Sequence, residues 1–165
     1  MNNVGPEQLG RLIGEHGAAL VLYARQWCAA PEDVVQEAFI QLASQTPPPD
    51  APLPWLYRVV RNGAISASRG ERRRRRHEAA AACREDAWFE AAEGDRLDAA
   101  LAARSLDALP PEQREVIVAR LWGGLSFQEI AELVGTSSSS AHRWYEAGLT
   151  ALRERMEKNV PTRGS

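Results

Sequence analysis

Residues 125–152 read LSFQEIAELVGTSSSSAHRWYEAGLTAL, and their spacing decides what kind of fold the chain adopts. Ser126 and Glu129 stand three apart at the head of an apolar-periodic run. That is the capping-box signature, in which each side chain satisfies an orphan N–H at the start of a helix. Phe127, Ile130, Ala131 and Val134 follow at helical spacing. Gly135 supplies a stop, Thr136 or Ser137 can cap a second helix, and Ala141, Tyr145, Gly148, Leu149 and Leu152 give that helix an inner face. Helix, glycine-containing turn, helix is the helix-turn-helix pattern. Just upstream, Pro110-Pro111-Glu112 opens another helix whose buried positions are Val116, Ile117, Leu121 and the stem of Arg120, and Gly123-Gly124 closes it.

The N-terminal half carries the same periodicity. Leu9, Leu12, Ile13, His16, Leu20, Tyr23 and Trp27 line one face of a helix expected from Pro6 to Cys28. Pro31-Glu32-Asp33 starts a second helix, to about Ser44, with Val34, Val35, Ala38, Phe39 and Leu42 inward. Asp33, Gln36, Glu37 and Ile40 form a separate stripe on it. Five prolines in TPPPDAPLP, Thr46 to Pro54, exclude regular helix. A third helix is expected from Pro54 to about Gly70, with Leu56, Val59, Val60, Gly63 and Ala67 inward and Arg58, Arg61, Asn62 and Arg69 on a broad outer face. No strand pattern of comparable strength appears, so the fold class is all-α.

Composition narrows the function. Apolar residues make up 44% and charged residues 25% of 165 residues, as in soluble globular chains. No apolar run is long enough to cross a bilayer and the N-terminus has no signal-peptide pattern, so a cytoplasmic protein without membrane insertion is expected. The net charge of -2 hides a segregated distribution: residues 58–76 hold eight arginines against one glutamate. One basic block on a mildly acidic chain points to a single polyanion-binding patch. Trp55 and Tyr57 beside it offer stacking surfaces for unpaired bases, and Asn62 an amide. Ser138, Ser139 and Ser140, short residues at a helix start, followed by His142 and Arg143, suit an approach to a DNA major groove. Glu146, near the same face, would repel phosphate.

Other chemistries lack an anchor. Cys28 and Cys83 form no CxxC pair, and His16, His77 and His142 are widely separated, so no metal site is expected. His16 reads as a satisfied core or boundary histidine. There is no GxSxG elbow, no Cys-His signature and no Gly-rich phosphate loop; no catalytic residue and no cofactor are expected.

Two stretches together resemble the extracytoplasmic-function sigma factors, of the sigma-70 family of bacterial RNA polymerase. PEDVVQEAFIQLA followed after a loop by PWLYRVVRNGAISASRGERRRR resembles sigma region 2. LDALPPEQREVIVARLWGGLSFQEIAELVGTSSSSAHRWYEAGLTALRERM resembles sigma region 4. The resemblance implies two small helical domains joined by a flexible linker: region 2 over 1–76, an acidic Ala-rich linker over 77–104, region 4 over 105–158 and a tail over 159–165. It implies a sigma factor directing promoter recognition and initiation. Asp33, Gln36, Glu37 and Ile40 would dock on the clamp helices of the polymerase beta-prime subunit. Trp55, Arg58, Arg61, Asn62 and Arg69, with the Pro47 to Pro54 loop, would meet unstacked minus-ten bases. Ser138, Ser139, Ser140, His142 and Arg143 would enter the minus-thirty-five major groove, with a further contact to the beta flap. An anti-sigma factor is a possible partner. The chain departs from the family's usual pattern in its proline-rich loop, in Ser66 where Asp is common, and in Trp144 where Arg is usual, so no promoter sequence carries over. The alternative is a stand-alone helix-turn-helix regulator or a polymerase-binding adaptor.

Overall fold

The computed structural model describes residues 3–75 and 104–159, and among these the regular structure is helical throughout. The elements are α1 (Pro6–Ala24), α2 (Pro31–Ser44), α3 (Pro52–Arg75), α4 (Pro111–Ile117) continued by a π-helical turn (Val118–Trp122), α5 (Phe127–Val134) and α6 (Ser138–Asn159). A further helical turn covers 104–107. The expected linker lies outside the described residues except for Arg104, as do Arg76, His77, Cys83 and the tail beyond Asn159.

Proline starts four of the helices' first turns because its missing N–H is one a helix start leaves unpaired anyway. That rule moves the third helix: it begins at Pro52 rather than Pro54, and it runs past Gly70 to Arg75, so most of the basic run is helical. The first helix stops at Ala24, four residues before Cys28. There the Gln26 and Trp27 N–H groups turn to the carbonyls of Tyr23 and Ala24, three residues back, which tightens the chain toward the next start. Leu20, Tyr23, Val35, Ala38, Phe39, Leu42, Leu56 and Val60 fill the core between α1, α2 and α3. Ile13 is 47% exposed and does not join its neighbours' face.

The capping box at α5 forms as expected: the Glu129 N–H donates to Ser126 Oγ (3.1 Å) and the Ser126 N–H to Glu129 Oε2 (3.0 Å). Gly135, at φ 75°, takes the left-handed conformation that ends α5, and the Ser140 N–H donates to Ser137 Oγ (3.1 Å), so Ser137 caps α6. Phe127 is the hinge of the pair, with its ring 5.4 Å from Tyr145 and 4.9 Å from His142, edge-on to both. The Arg120 guanidinium lies over it at 4.7 Å and donates to the Leu125 carbonyl (2.9 Å). Arg114 clamps the preceding turn through the carbonyls of Leu106, Asp107 and Leu109.

The π-helical turn changes which residues face inward. Its wider ring, with the Gly123 N–H reaching the Val118 carbonyl at 3.1 Å, rotates Val118 and Ala119 into the core. Leu121, expected inside, is 49% exposed, and Trp122 is exposed beside it.

The two blocks share one hydrophobic cluster, running from Val4 to Leu152. α1 packs on the π-helical turn and α3 on α5. Tyr57 is fully buried at this junction, so it cannot offer its ring to bases as the sequence suggested; its hydroxyl has no partner, and burial raises its pKa. A Cβ on Gly123 would meet the Tyr57 oxygen and the Ala119 carbonyl at 2.5 Å each. Gly123→Ala is expected to destabilise the protein by about 1–3 kcal/mol through this overpacking, measured by urea unfolding with an unchanged m-value.

Candidate nucleic-acid and partner interface

The residues singled out in the sequence fall on three surfaces, with Arg61 displaced from its own. On α2 the buried face is Val35, Ala38, Phe39 and Leu42, which leaves Asp33, Gln36, Glu37 and Ile40 outside. Ile40 is 53% exposed, an isolated branched apolar side chain among two acids and an amide. Scattered surface apolar residues are common, but this one completes a single stripe at helical spacing.

On α3, Arg58, Asn62 and Arg69 are exposed as expected, and Trp55 is half-buried against the core. Arg61 is not on the outer face. It turns toward the second block, where its Nε donates to Glu115 Oε1 at 2.5 Å. The same oxygen accepts from the Tyr23 hydroxyl at 2.6 Å. Trp27 closes the group, with the Arg61 guanidinium 5.7 Å from its ring centre and its own ring edge-on to Tyr23 at 5.0 Å. Glu115 is only 7% exposed, and a buried carboxylate is tolerable only with donors of this kind.

Electrostatics follow from that arrangement. Burial opposes the Arg61 charge, but the hydrogen bond and negative charge of Glu115 outweigh it and hold the guanidinium pKa above its ordinary value. Burial, reinforced by the Glu115 charge, pushes the Tyr23 phenol far above its ordinary range, so it stays a neutral donor. The sequence reading missed Glu115. The signal was an acid three and four residues before Val118 and Ala119, on the face that turns inward.

At the start of α6, Ser138, Ser139, His142 and Arg143 are exposed. Ser140 is half-buried and occupied: it hydrogen-bonds with Ser137 Oγ and accepts from Arg143 Nη2 at 3.0 Å, so it orients an arginine rather than standing free. His142 Nε2 lies 3.7 Å from Glu146 Oε1, one turn along the helix. Trp144 packs partly on the core. Among the described residues no cluster of His, Cys, Asp and Glu could hold a metal, and no helix is long and apolar enough to cross a membrane. His16 is less satisfied than expected, since its buried Nδ1 has no partner.

Comparison with known proteins fits this geometry. The family model for sigma-70 region 2 matches residues 12–74, and that for sigma-70 region 4 matches residues 100–152. RNA polymerase sigma factor CarQ of Myxococcus xanthus is 35% identical over 133 residues, 76% of this chain and 74% of that protein. The solved structure of CnrH in complex with the cytosolic domain of CnrY superposes with a TM-score of 0.61 at 24% identity, over 94% of this chain and 92% of that one.

Cys28, which follows Trp27 in the chain, is 7% exposed, its thiol directed to the Ala24 carbonyl at 3.5 Å. Burial pushes the thiol pKa up to about 11. Only about one molecule in ten thousand is thiolate at pH 7 on that value. Alkylation of Cys28 by iodoacetamide in the native protein, followed by peptide mass spectrometry, is expected to be slow at pH 7. Its rate should rise about tenfold per pH unit toward pH 10, the thiol gaining reactivity as it deprotonates.

Proposed function

Because this chain belongs to the sigma-70 family, as an extracytoplasmic-function sigma factor that serves RNA polymerase in transcription initiation, we propose a division of labour among its three surfaces. The α2 stripe of Asp33, Gln36, Glu37 and Ile40 docks on the beta-prime clamp helices. The cationic helix α3, with Trp55, Arg58, Asn62 and Arg69, holds melted minus-ten DNA, Arg61 being engaged by Glu115. The start of α6, with Ser138, Ser139, His142 and Arg143, reads the minus-thirty-five duplex, Ser140 steering the arginine. The protein supplies no reaction chemistry of its own and lends these surfaces to the polymerase.

The observation that carries this reading is the placement of the α2 stripe and the α3 cations on adjacent packed helices whose other faces are fully used by the core. A free-standing regulator has no use for the first of these surfaces. Region 2 and region 4 models, matched in that order, also favour the sigma factor over a stand-alone helix-turn-helix protein. An anti-sigma partner is proposed by analogy with CnrH, whose structure was solved with CnrY.

DNA contacts here divide by kind. Exposed arginines on α3 contribute counterion release, a salt slope of about -0.9 for each duplex phosphate neutralised and less on single strands. Arg143 can add base discrimination of about 1–3 kcal/mol where it pairs with guanine.

Reconstitution with core polymerase tests the proposal. Ile40→Asp is expected to weaken core binding about tenfold or more, as loss of an apolar anchor does. Asn62→Ala is expected to leave core affinity within about twofold and to slow promoter opening about tenfold, the scale of a hydrogen bond made to a base. Co-purification and permanganate footprinting read the two separately; parallel losses in both assays for both variants would refute the assignment of roles.

A further inference from the structure

Attraction to DNA alone would not select the charge pattern on α6. Recognition helices read base edges with side chains at i, i+3, i+4 and i+7. On α6 that spacing gives Ser139, His142, Arg143 and Glu146, all of them exposed, and the last is an acid. The opposite side of the helix is used in packing: Ala141 and Leu152 are buried, with Trp144 and Tyr145 against the core. A Cβ on Gly148 would meet Ile117 Cδ1 at 2.6 Å, so α6 is seated closely on α4 and its rotation about its own axis is fixed. Glu146 therefore stays on the side that carries Arg143.

The two charges are held apart. Arg143 Nη2 donates to Ser140 Oγ at 3.0 Å, one turn back, so the guanidinium leans toward the helix start and away from Glu146. Glu146 keeps 60% of its side-chain surface in solvent, with His142 Nε2 3.7 Å from its Oε1. Among the described residues neither carboxylate oxygen accepts a hydrogen bond; it is the Glu146 backbone carbonyl that accepts from Thr150. An open acceptor thus stands three residues beyond an arginine, about 4.5 Å along the axis at ~1.5 Å per residue. Base pairs follow one another at ~3.4 Å, so two readers at this separation meet neighbouring pairs.

Major-groove edges offer a carboxylate only two donors, the N4 amino group of cytosine and the N6 amino group of adenine. Adenine carries its N7 acceptor beside N6, which repels a carboxylate, while guanine and thymine present no donor there. Cytosine is the base that remains.

We propose that Glu146 is a specificity-determining residue of this helix-turn-helix, accepting a hydrogen bond from the N4 amino group of one cytosine in the minus-thirty-five major groove. The inference rests on the reading of α6 as the duplex-reading helix. Its effect is opposite in kind to that of Arg143. An arginine is attracted to the phosphates of any duplex and gains more where it meets guanine. A carboxylate is repelled by every duplex and must shed water to enter the groove, a loss it recovers only where a donor faces it. Glu146 lowers affinity in general and discriminates by doing so.

The test uses the full chain reconstituted with core polymerase and a pool of duplexes carrying a randomised segment, the retained duplexes being sequenced. The unaltered protein is expected to enrich a C·G pair next to the pair whose enrichment Arg143→Ala abolishes. Glu146→Gln presents an amide, which both donates and accepts and so suits adenine N6 and N7. It is expected to move the preference at that one pair from cytosine to adenine, changing the ratio about tenfold and leaving the other positions as they were. Glu146→Ala should lose the preference there, and the full chain carrying it should bind a labelled duplex of unselected sequence about threefold more tightly in anisotropy, the repulsion being gone. The unaltered positions report that each variant is folded. A cytosine preference that survives both substitutions overturns the proposal, as does selection of any other base at that pair by the unaltered protein. Enrichment with no position sensitive to Arg143→Ala would instead overturn the reading of α6 on which the proposal rests.

Discussion

A carboxylate that is 7% exposed has to be neutralised where it lies, and the donors available to Glu115 come from α1 and α3 in the other half of the chain. That requirement ties the two blocks together. Removing one partner of a fully buried ion pair costs about 3–5 kcal/mol, because the remaining charge is stranded. Arg61 keeps a quarter of its side-chain surface in solvent (27%), so the value here is smaller. The apolar junction around it, with Tyr57 against Gly123, is what excludes water from the pair. Hydrophobic contact makes the union stable, and the pair makes it specific to one register.

The same junction explains the irregular end of α4. A regular helix through Leu121 would place that side chain inward and Val118 partly outward. The π-helical turn reverses this, giving Val118 and Ala119 to the shared core and bringing Gly123 to Tyr57. Turns of this type carry a poorer hydrogen-bond pattern, and they persist where tertiary packing rewards the altered register. Leu121 and Trp122 are left outside as a consequence.

What could be read from the residues alone was local. Proline at the first turns of α1, α2 and α4, the Ser126 and Glu129 pair, Gly135 at the end of α5 and the apolar rows of α2 and α5 each depend on neighbours within one or two turns, and each is found where expected. The exposed stripe on α2 was legible for the same reason, being the complement of a core face. The errors all involve the junction or the chain's ends of periodicity. Arg61 and Tyr57 lie on a helix whose second contact is with residues over fifty positions away, and no period in α3 encodes which of its faces that partner covers. Leu121 was misplaced by a change of helical pitch, and Ile13 by assuming that a face is apolar along its whole length. The role of Glu115 needs both halves at once.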